Sequence, residues 1–194
     1  MVHFSTDYVF DGKGTQPYRE TDMPNPVSVY GASKLAGELA VQQSGASFLI
    51  FRLSWVYATR GANFLRTMQR LARERKELSI VNDQIGAPTW CRAIAEGVAL
   101  ILARHQHASL KKSGIFHMSA ADQTSWYDFA KHIFKWSPDK DTFKLDTVHP
   151  IPTTAYPTPA SRPAYSVLSN DKLIHTFGIR LPNWQTQLKQ ALGQ

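Results

Sequence analysis

Ser47-Phe-Leu-Ile-Phe-Arg-Leu53 is apolar at five of its seven positions, with no alternation between apolar and polar residues. A run of that length without a period of two suits a strand covered on both faces, the situation of a parallel strand in a layered sheet. Parallel neighbours need crossover connections, and helical spacing lies on either side to supply them. Ser28 to about Gln43 repeats small and apolar residues at helical intervals and stops before Gly45, and Asn63 to Arg75 does so again. Val2-His-Phe-Ser5 reads as a buried strand. A short strand near Leu78–Val81, a helix from about Trp90 to Arg104, a strand at Gly114–Ser119 and a helix over Ser125–Phe134 continue the alternation. The pattern predicts an α/β fold on a parallel sheet over residues 1–137. Residues 11–28 and Asn82–Thr89 read as loops. Pro138–Ala164, rich in Pro and Thr, reads as irregular and opens a separate lid or substrate segment over 138–194, which ends in short helices around Asn170–Phe177 and Asn183–Leu192.

Composition narrows the partners. With 194 residues and 43% hydrophobic content the chain can bury a core. No run approaches the roughly 18 to 20 apolar residues of a membrane span, and the first residues lack a basic leader, so a soluble, unprocessed cytoplasmic chain without a membrane partner is expected. A single cysteine, Cys91, excludes an internal disulfide and a cysteine-cluster zinc site, and it reads as a small packed residue. The net charge of +7 is scattered in groups such as Arg70–Lys76 and Lys111–Lys112, which argues against a nucleic-acid stripe and is compatible with small anions. His105-Gln-His107 has the spacing of two metal ligands but reads as a polar helix end, and no metal is expected.

Tyr30-Gly-Ala-Ser-Lys34 places a phenol and an ammonium one helical turn apart on the same face. A free tyrosine titrates near pH 10, and a neighbouring cation favours the phenolate, so the pair suits proton transfer to or from a carbonyl oxygen. Tyr127-Asp-Phe-Ala-Lys131 repeats the spacing after Ser119. Its neighbours Trp126, Phe129, Ala130, Ile133 and Phe134 form an apolar stripe, and that second pair reads as core packing. Ser5-Thr6-Asp7 sits where a parallel strand should end, and ligands of open α/β sheets bind beyond such ends. Whether Thr6 serves a ligand or bonds local backbone is left open by its position alone.

The blocks His3-Phe-Ser-Thr-Asp-Tyr-Val-Phe-Asp-Gly12, Tyr30-Gly-Ala-Ser-Lys-Leu-Ala-Gly-Glu38, Arg52-Leu-Ser-Trp-Val-Tyr57 and Asn82-Asp-Gln-Ile-Gly-Ala-Pro-Thr89 resemble, in order and spacing, the dTDP-4-dehydrorhamnose reductases of the extended short-chain dehydrogenase/reductase class. Thr124-Ser-Trp126, Pro159-Ala-Ser-Arg-Pro163 and Leu181-Pro-Asn-Trp184 resemble the C-terminal part of the same family. The resemblance implies a partial Rossmann-like core interleaved with substrate-binding segments. It also implies reduction of a dTDP-linked 4-keto-6-deoxyhexose, dTDP-4-dehydro-6-deoxy-L-mannose, to dTDP-L-rhamnose by NADPH or NADH, in a homodimer. By the same resemblance Tyr30 is the proton donor, Lys34 tunes it and holds the nicotinamide ribose, Thr6 polarises the carbonyl, Asp7 touches the sugar nucleotide, and Trp55 forms an aromatic wall. Arg162 either pairs with the substrate diphosphate or makes a structural ion pair.

Two departures accompany the likeness. No Gly-x-Gly-x-x-Gly or Gly-x-x-Gly-x-x-Gly occurs among the eleven glycines, and Gly12-Lys-Gly14 lacks a third. The chain therefore reads as the C-terminal two-thirds of a longer enzyme, with an incomplete cofactor site and no activity by itself. After Gly86-Ala-Pro-Thr89 come Trp90, Cys91 and Arg92, with Glu96 the one acidic residue nearby, where some members carry metal-binding acids. The fold admits other functions: a non-catalytic regulatory subunit resembling the methionine adenosyltransferase beta subunit, or another nucleotide-sugar epimerase or dehydratase.

Overall fold

A computed structural model of the chain describes residues 1–104, 113–158 and 160–194; His105, His107, Lys111, Lys112 and Pro159 lie outside the described residues. The elements run β1 (Val2–Thr6), α1 (Val29–Gln43), β2 (Leu49–Leu53), β3 (Val56–Tyr57), α2 (Phe64–Glu74), β4 (Glu77–Val81), β5 (Ile85–Gly86), β6 (Thr89–Trp90) and α3 (Cys91–Arg104). They continue with β7 (Gly114–His117), β8 (Thr124–Ser125), α4 (Trp126–Trp136), β9 (Thr147–Ile151), α5 (Asp171–Phe177) and α6 (Trp184–Ala191). The fold is α/β, and its central sheet has the order β1-β2-β7 with both pairings parallel.

Register divides this sheet into two chemical faces. Phe4, Phe51 and Phe116 stand side by side in one row, and Ser5, Arg52 and His117 stand in the next. Successive strand residues point to opposite faces, so Phe51 and Phe116 meet α3 and α5 in a core with Ile94, Val98, Ile101, Leu173 and Phe177, whereas Phe4, on the strand expected to be buried, is 43% exposed. The polar row faces α1. There Arg52 Nε and Nη2 donate to Glu38 Oε1 and Oε2 at 2.9 and 2.7 Å, with both side chains buried. The fork geometry offsets the cost of desolvating two charges, and removal of one partner costs roughly 3 to 5 kcal/mol. His117 Nδ1 lies 3.1 Å from the Tyr18 carbonyl. Burial and the Arg52 charge push that imidazole down to about 3, so it stays neutral.

Helix α1 is started by Ser28, whose Oγ accepts the Gly31 N–H at 3.1 Å. A Cβ at position 31 would stand 2.1 Å from the Tyr8 carbonyl oxygen, so only glycine lets the helix rest on the Asp7–Val9 turn that follows β1. That contact is what brings Tyr30 to the end of β1.

The segment read as irregular contains a strand. β9 pairs in parallel with β4 from Glu77↔Thr147 to Val81↔Ile151, so strand pairing crosses residue 138. Pro150 is tolerated because β9 has a single neighbour and can spare an N–H. The Asn82–Thr89 loop likewise holds two short strands: β5 pairs with β8, and β6 pairs with β3. Cys91, expected to be packed, is exposed, because the first turn of α3 turns its buried face to Ala93 and Ile94.

Candidate active site

Thr6, Asp7, Tyr30, Lys34, Trp55 and Arg162 all line one cavity of about 590 Å³ at the C-terminal ends of β1 and β2. The strand end supplies Thr6 and Asp7, α1 supplies Tyr30 and Lys34, the residues after β2 supply Trp55, and the C-terminal segment supplies Arg162. Tyr30 lines the cavity and is 54% exposed to solvent, with its ring edge-on to Tyr8 at 6.0 Å between centroids. Lys34 Nζ donates to the Phe4 carbonyl at 2.5 Å, which leaves two of its three N–H donors for a ligand. Tyr8 is held protonated at neutral pH: burial first, then the nearby Asp7, raise its phenol to about 12, against the opposing charge of Arg162.

Asp7 is the most confined group. It is 2% exposed, and it accepts Thr6 Oγ1–H at 3.0 Å on Oδ1 and Ser54 Oγ–H at 3.0 Å on Oδ2. Burial raises its carboxyl to about 6, against the lowering effect of the Ser166, Ser54 and Thr6 hydroxyls. The Thr6 hydroxyl also accepts the Tyr8 N–H at 3.2 Å, so Thr6 bonds its local turn while it lines the cavity.

Trp55 adopts a left-handed backbone, φ +43°, which costs a non-glycine residue of order 1 to 3 kcal/mol. Its surroundings impose it. The indole lies flat on that of Trp126, with centroids 3.6 Å apart and planes 5° from parallel, and its carbonyl accepts the Thr89 N–H at 3.2 Å. Gly86 makes the room, since a Cβ there would come within 2.3 Å of the Trp55 ring. Trp126 in turn donates from Nε1 to Gln84 Oε1 at 3.2 Å and tilts against Phe64. Both indoles line the cavity.

Sequence reasoning placed Trp126 in an apolar stripe and overlooked Ser54 and Gly86. The signal for Trp126 was its position just after the Ser125 cap, at the first helical residue, where a side chain can leave the core face. The second Tyr–Lys pair is elsewhere: Tyr127 is half-buried against Ile133-side packing, Lys131 Nζ lies 5.1 Å over its ring, and neither lines the cavity with Thr6. Ser119, the serine ahead of that pair, is bound by Asn170 through both its backbone and its hydroxyl. Among the described residues no group of three or more His, Cys, Asp or Glu gathers as a metal site, and no helix is long and apolar enough to cross a membrane.

A parallel α/β sheet that gathers a hydroxyl, a phenol and an ammonium beyond its strand ends has the layout of nucleotide-dependent enzymes of this architecture. The family described as RmlD substrate binding domain matches residues 1–194, and the chain belongs to that family. A dTDP-4-dehydrorhamnose reductase of Burkholderia thailandensis is 55% identical over 191 residues, covering 95% of this chain and 64% of the relative. Among solved structures, the dTDP-4-dehydrorhamnose reductase of Clostridium acetobutylicum is 38% identical with a TM-score of 0.89, covering 99% of this chain and 64% of that one. The Bacillus anthracis dTDP-4-dehydrorhamnose reductase, solved in complex with NADP, is 37% identical with a TM-score of 0.83, covering 97% and 63%. The chain thus spans under two thirds of the length of these proteins.

Proposed function

We propose that the chain carries the substrate side of a dTDP-4-dehydrorhamnose reductase, which reduces the 4-keto group of dTDP-4-dehydro-6-deoxy-L-mannose to the alcohol of dTDP-L-rhamnose with NADPH or NADH. The observation that supports this reading most is the convergence of Thr6, Asp7, Tyr30, Lys34, Trp55 and Arg162 on one cavity. Lys34, with two free N–H donors on the cavity wall, fits the hydroxyls of a nicotinamide ribose. The bound dinucleotide supplies the hydride. Tyr30, exposed to the cavity one helical turn from the Lys34 charge, gives its phenolic proton to the C4 oxygen. Thr6 steadies the same oxygen by a hydrogen bond. Trp55, braced by Trp126, offers a flat wall for the deoxyhexose.

Arg162 also lines a second cavity, of about 560 Å³, together with Trp126, Phe64, Gln84 and Tyr156. A guanidinium at the junction of two cavities suits a diphosphate whose sugar lies on one side and whose nucleoside lies on the other. The test is a turnover assay with NADPH and the dTDP-4-keto sugar. It is run on the 194-residue chain and on the chain joined to the part of the Burkholderia thailandensis relative that it does not cover. Turnover in the joined protein that Tyr30→Phe abolishes supports the reading. Sugar-nucleotide binding without turnover in either would favour the non-catalytic alternative, and turnover that releases an epimer or a dehydrated sugar would favour the other.

A further inference from the structure

The Thr6 hydroxyl has one hydrogen, and in this structure it is donated to Asp7 Oδ1 at 3.0 Å, while the Tyr8 N–H occupies one lone pair at 3.2 Å. A hydroxyl engaged in this way has no proton left to offer a carbonyl oxygen in the cavity. Asp7 is 2% exposed, and none of the ion pairs of the described residues includes it. Its carboxyl accepts two hydroxyls, Thr6 from the end of β1 and Ser54 from the end of β2, and its own backbone N–H and the buried Ser166 of the C-terminal segment also favour the charged form. The titratable and charged groups around it are Tyr8 on its own turn, Tyr30 and Lys34 on α1, and Arg162 on the C-terminal segment, all on the same cavity wall. A buried carboxylate without a cation partner binds a proton more readily than one in water.

Resting on the reading that Thr6 faces the substrate carbonyl, we propose that Asp7 is a positioning residue for Thr6: as a carboxylate it holds the Thr6 proton to itself, and as a carboxylic acid it reverses that hydrogen bond and frees the Thr6 O–H for the carbonyl oxygen. The balance is simple. Asp7 takes one proton from solvent onto Oδ1 and keeps it; that O–H donates to Thr6 Oγ1, and the Thr6 hydrogen turns to the cavity without leaving its oxygen. No proton passes from Asp7 to the sugar, whose proton comes from Tyr30. The raised carboxyl, at about 6, puts the two arrangements within reach of each other near neutrality. A bound carbonyl favours the protonated form, so binding of the keto sugar is coupled to proton uptake at Asp7.

The experiment is a carboxyl-carbon NMR titration of the 194-residue chain labelled at aspartate, with the Asp7 signal assigned by its loss in Asp7→Asn. Thr6→Val removes a donor that favours the charged carboxylate, so the Asp7 midpoint rises by about one to two pH units. Thr6→Ser keeps the donor and keeps the midpoint. An unmoved midpoint in a folded Thr6→Val protein overturns the proposal, and Ser54→Ala, which raises the midpoint by removing the other donor, reports the sensitivity of the measurement. In a second arm the dTDP-4-keto sugar raises the midpoint and dTDP alone does not. Binding of the keto sugar with an unmoved midpoint overturns the positioning role and leaves the proposed function standing. Failure of either dTDP ligand to bind removes the reading of the site, and the inference with it.

Discussion

Trp55 and Trp126 lie face to face, 3.6 Å apart and 5° from parallel, and the plane of Trp55 is held there by a glycine, Gly86, whose missing side chain is the space the indole occupies. The stack joins the end of β2 to the start of α4, so one wall of the cavity is shared between two parts of the chain that sequence distance keeps apart. Stacked aromatic pairs contribute about 0.5 to 1.5 kcal/mol beyond their buried area. Trp126→Ala should therefore weaken dTDP-sugar binding by roughly two- to tenfold, and Gly86→Ala should do so by displacing the Trp55 ring. Both variants should lose the coupled indole signal in circular dichroism while keeping the backbone signal; undiminished binding in both would remove Trp55 from the site.

Tyr30→Phe tests the proposed proton donor. In the turnover assay of the joined protein, kcat should fall by roughly 10² to 10⁴, with a much smaller change in sugar-nucleotide affinity. Lys34→Met should lower kcat and weaken cofactor binding together. Near-normal turnover in Tyr30→Phe would count decisively against the assignment.

Cofactor affinity should distinguish the chain from its longer relatives. The residues proposed to meet the dinucleotide, Tyr30 and Lys34, reach only its nicotinamide end, and no glycine-rich turn of the usual pyrophosphate pattern occurs in the sequence. A fluorescence titration of the 194-residue chain with NADPH should give a Kd weaker than about 100 μM. Saturation at low micromolar concentrations would reveal a dinucleotide site that this sequence does not disclose.

Two buried groups act against each other on stability below neutrality. His117, pushed down by burial to about 3 from 6.5, contributes stability that is complete above pH 6.5 and is lost as pH falls toward 3, and His3, also lowered, acts in the same direction. Asp7, raised by burial to about 6 from 3.8, does the reverse: its contribution is complete below 3.8 and is lost as pH rises through 6. Between about pH 4 and 6 the two terms oppose, and the carboxyls of Asp11 and Asp83, which are lowered, act only below that window. Urea melts of the wild type should show a shallow dependence there. Asp7→Asn should steepen it by about 1.4 kcal/mol per pH unit, with stability falling as pH falls, and His117→Gln should tilt it the other way. Parallel curves for wild type and Asp7→Asn would show that Asp7 titrates normally.

The parallel core was legible because its strands announce themselves. Leu49–Leu53 shows no polar–apolar alternation, Arg52 being its one polar residue, and Ser28, Asn63 and Ser125 cap the helices that follow them. β9 was not legible, since Thr147-Val-His-Pro-Ile151 has a proline and weak alternation, and its pairing with β4 is decided by neighbours distant in sequence. Tyr30, Lys34, Thr6, Asp7, Trp55 and Arg162 of the cavity were given roles from motif blocks, while Trp126, Ser54 and Gly86, present in the same blocks, were given none, because their contribution lies in what they touch. Spacing left open whether Thr6 bonds its local turn or a ligand; the structure gives it the first partner and sets it on the wall of the cavity.

The contact of Gly31 with the Tyr8 carbonyl and the buried Glu38–Arg52 fork clamp α1 to the sheet at two points along its length. A slide or a tilt of that helix would have to drive a backbone oxygen into a Cα or strand a charge in the core. The distance between the phenol on the helix and the hydroxyl on the strand is therefore fixed at folding, before any ligand arrives. Opening these residues to solvent should require disrupting the same cooperative unit as the central sheet, so their amides should exchange with deuterium among the slowest in the molecule. For the two groups proposed to meet one oxygen, much of the orientational entropy of bringing them together has already been spent by the time a ligand enters.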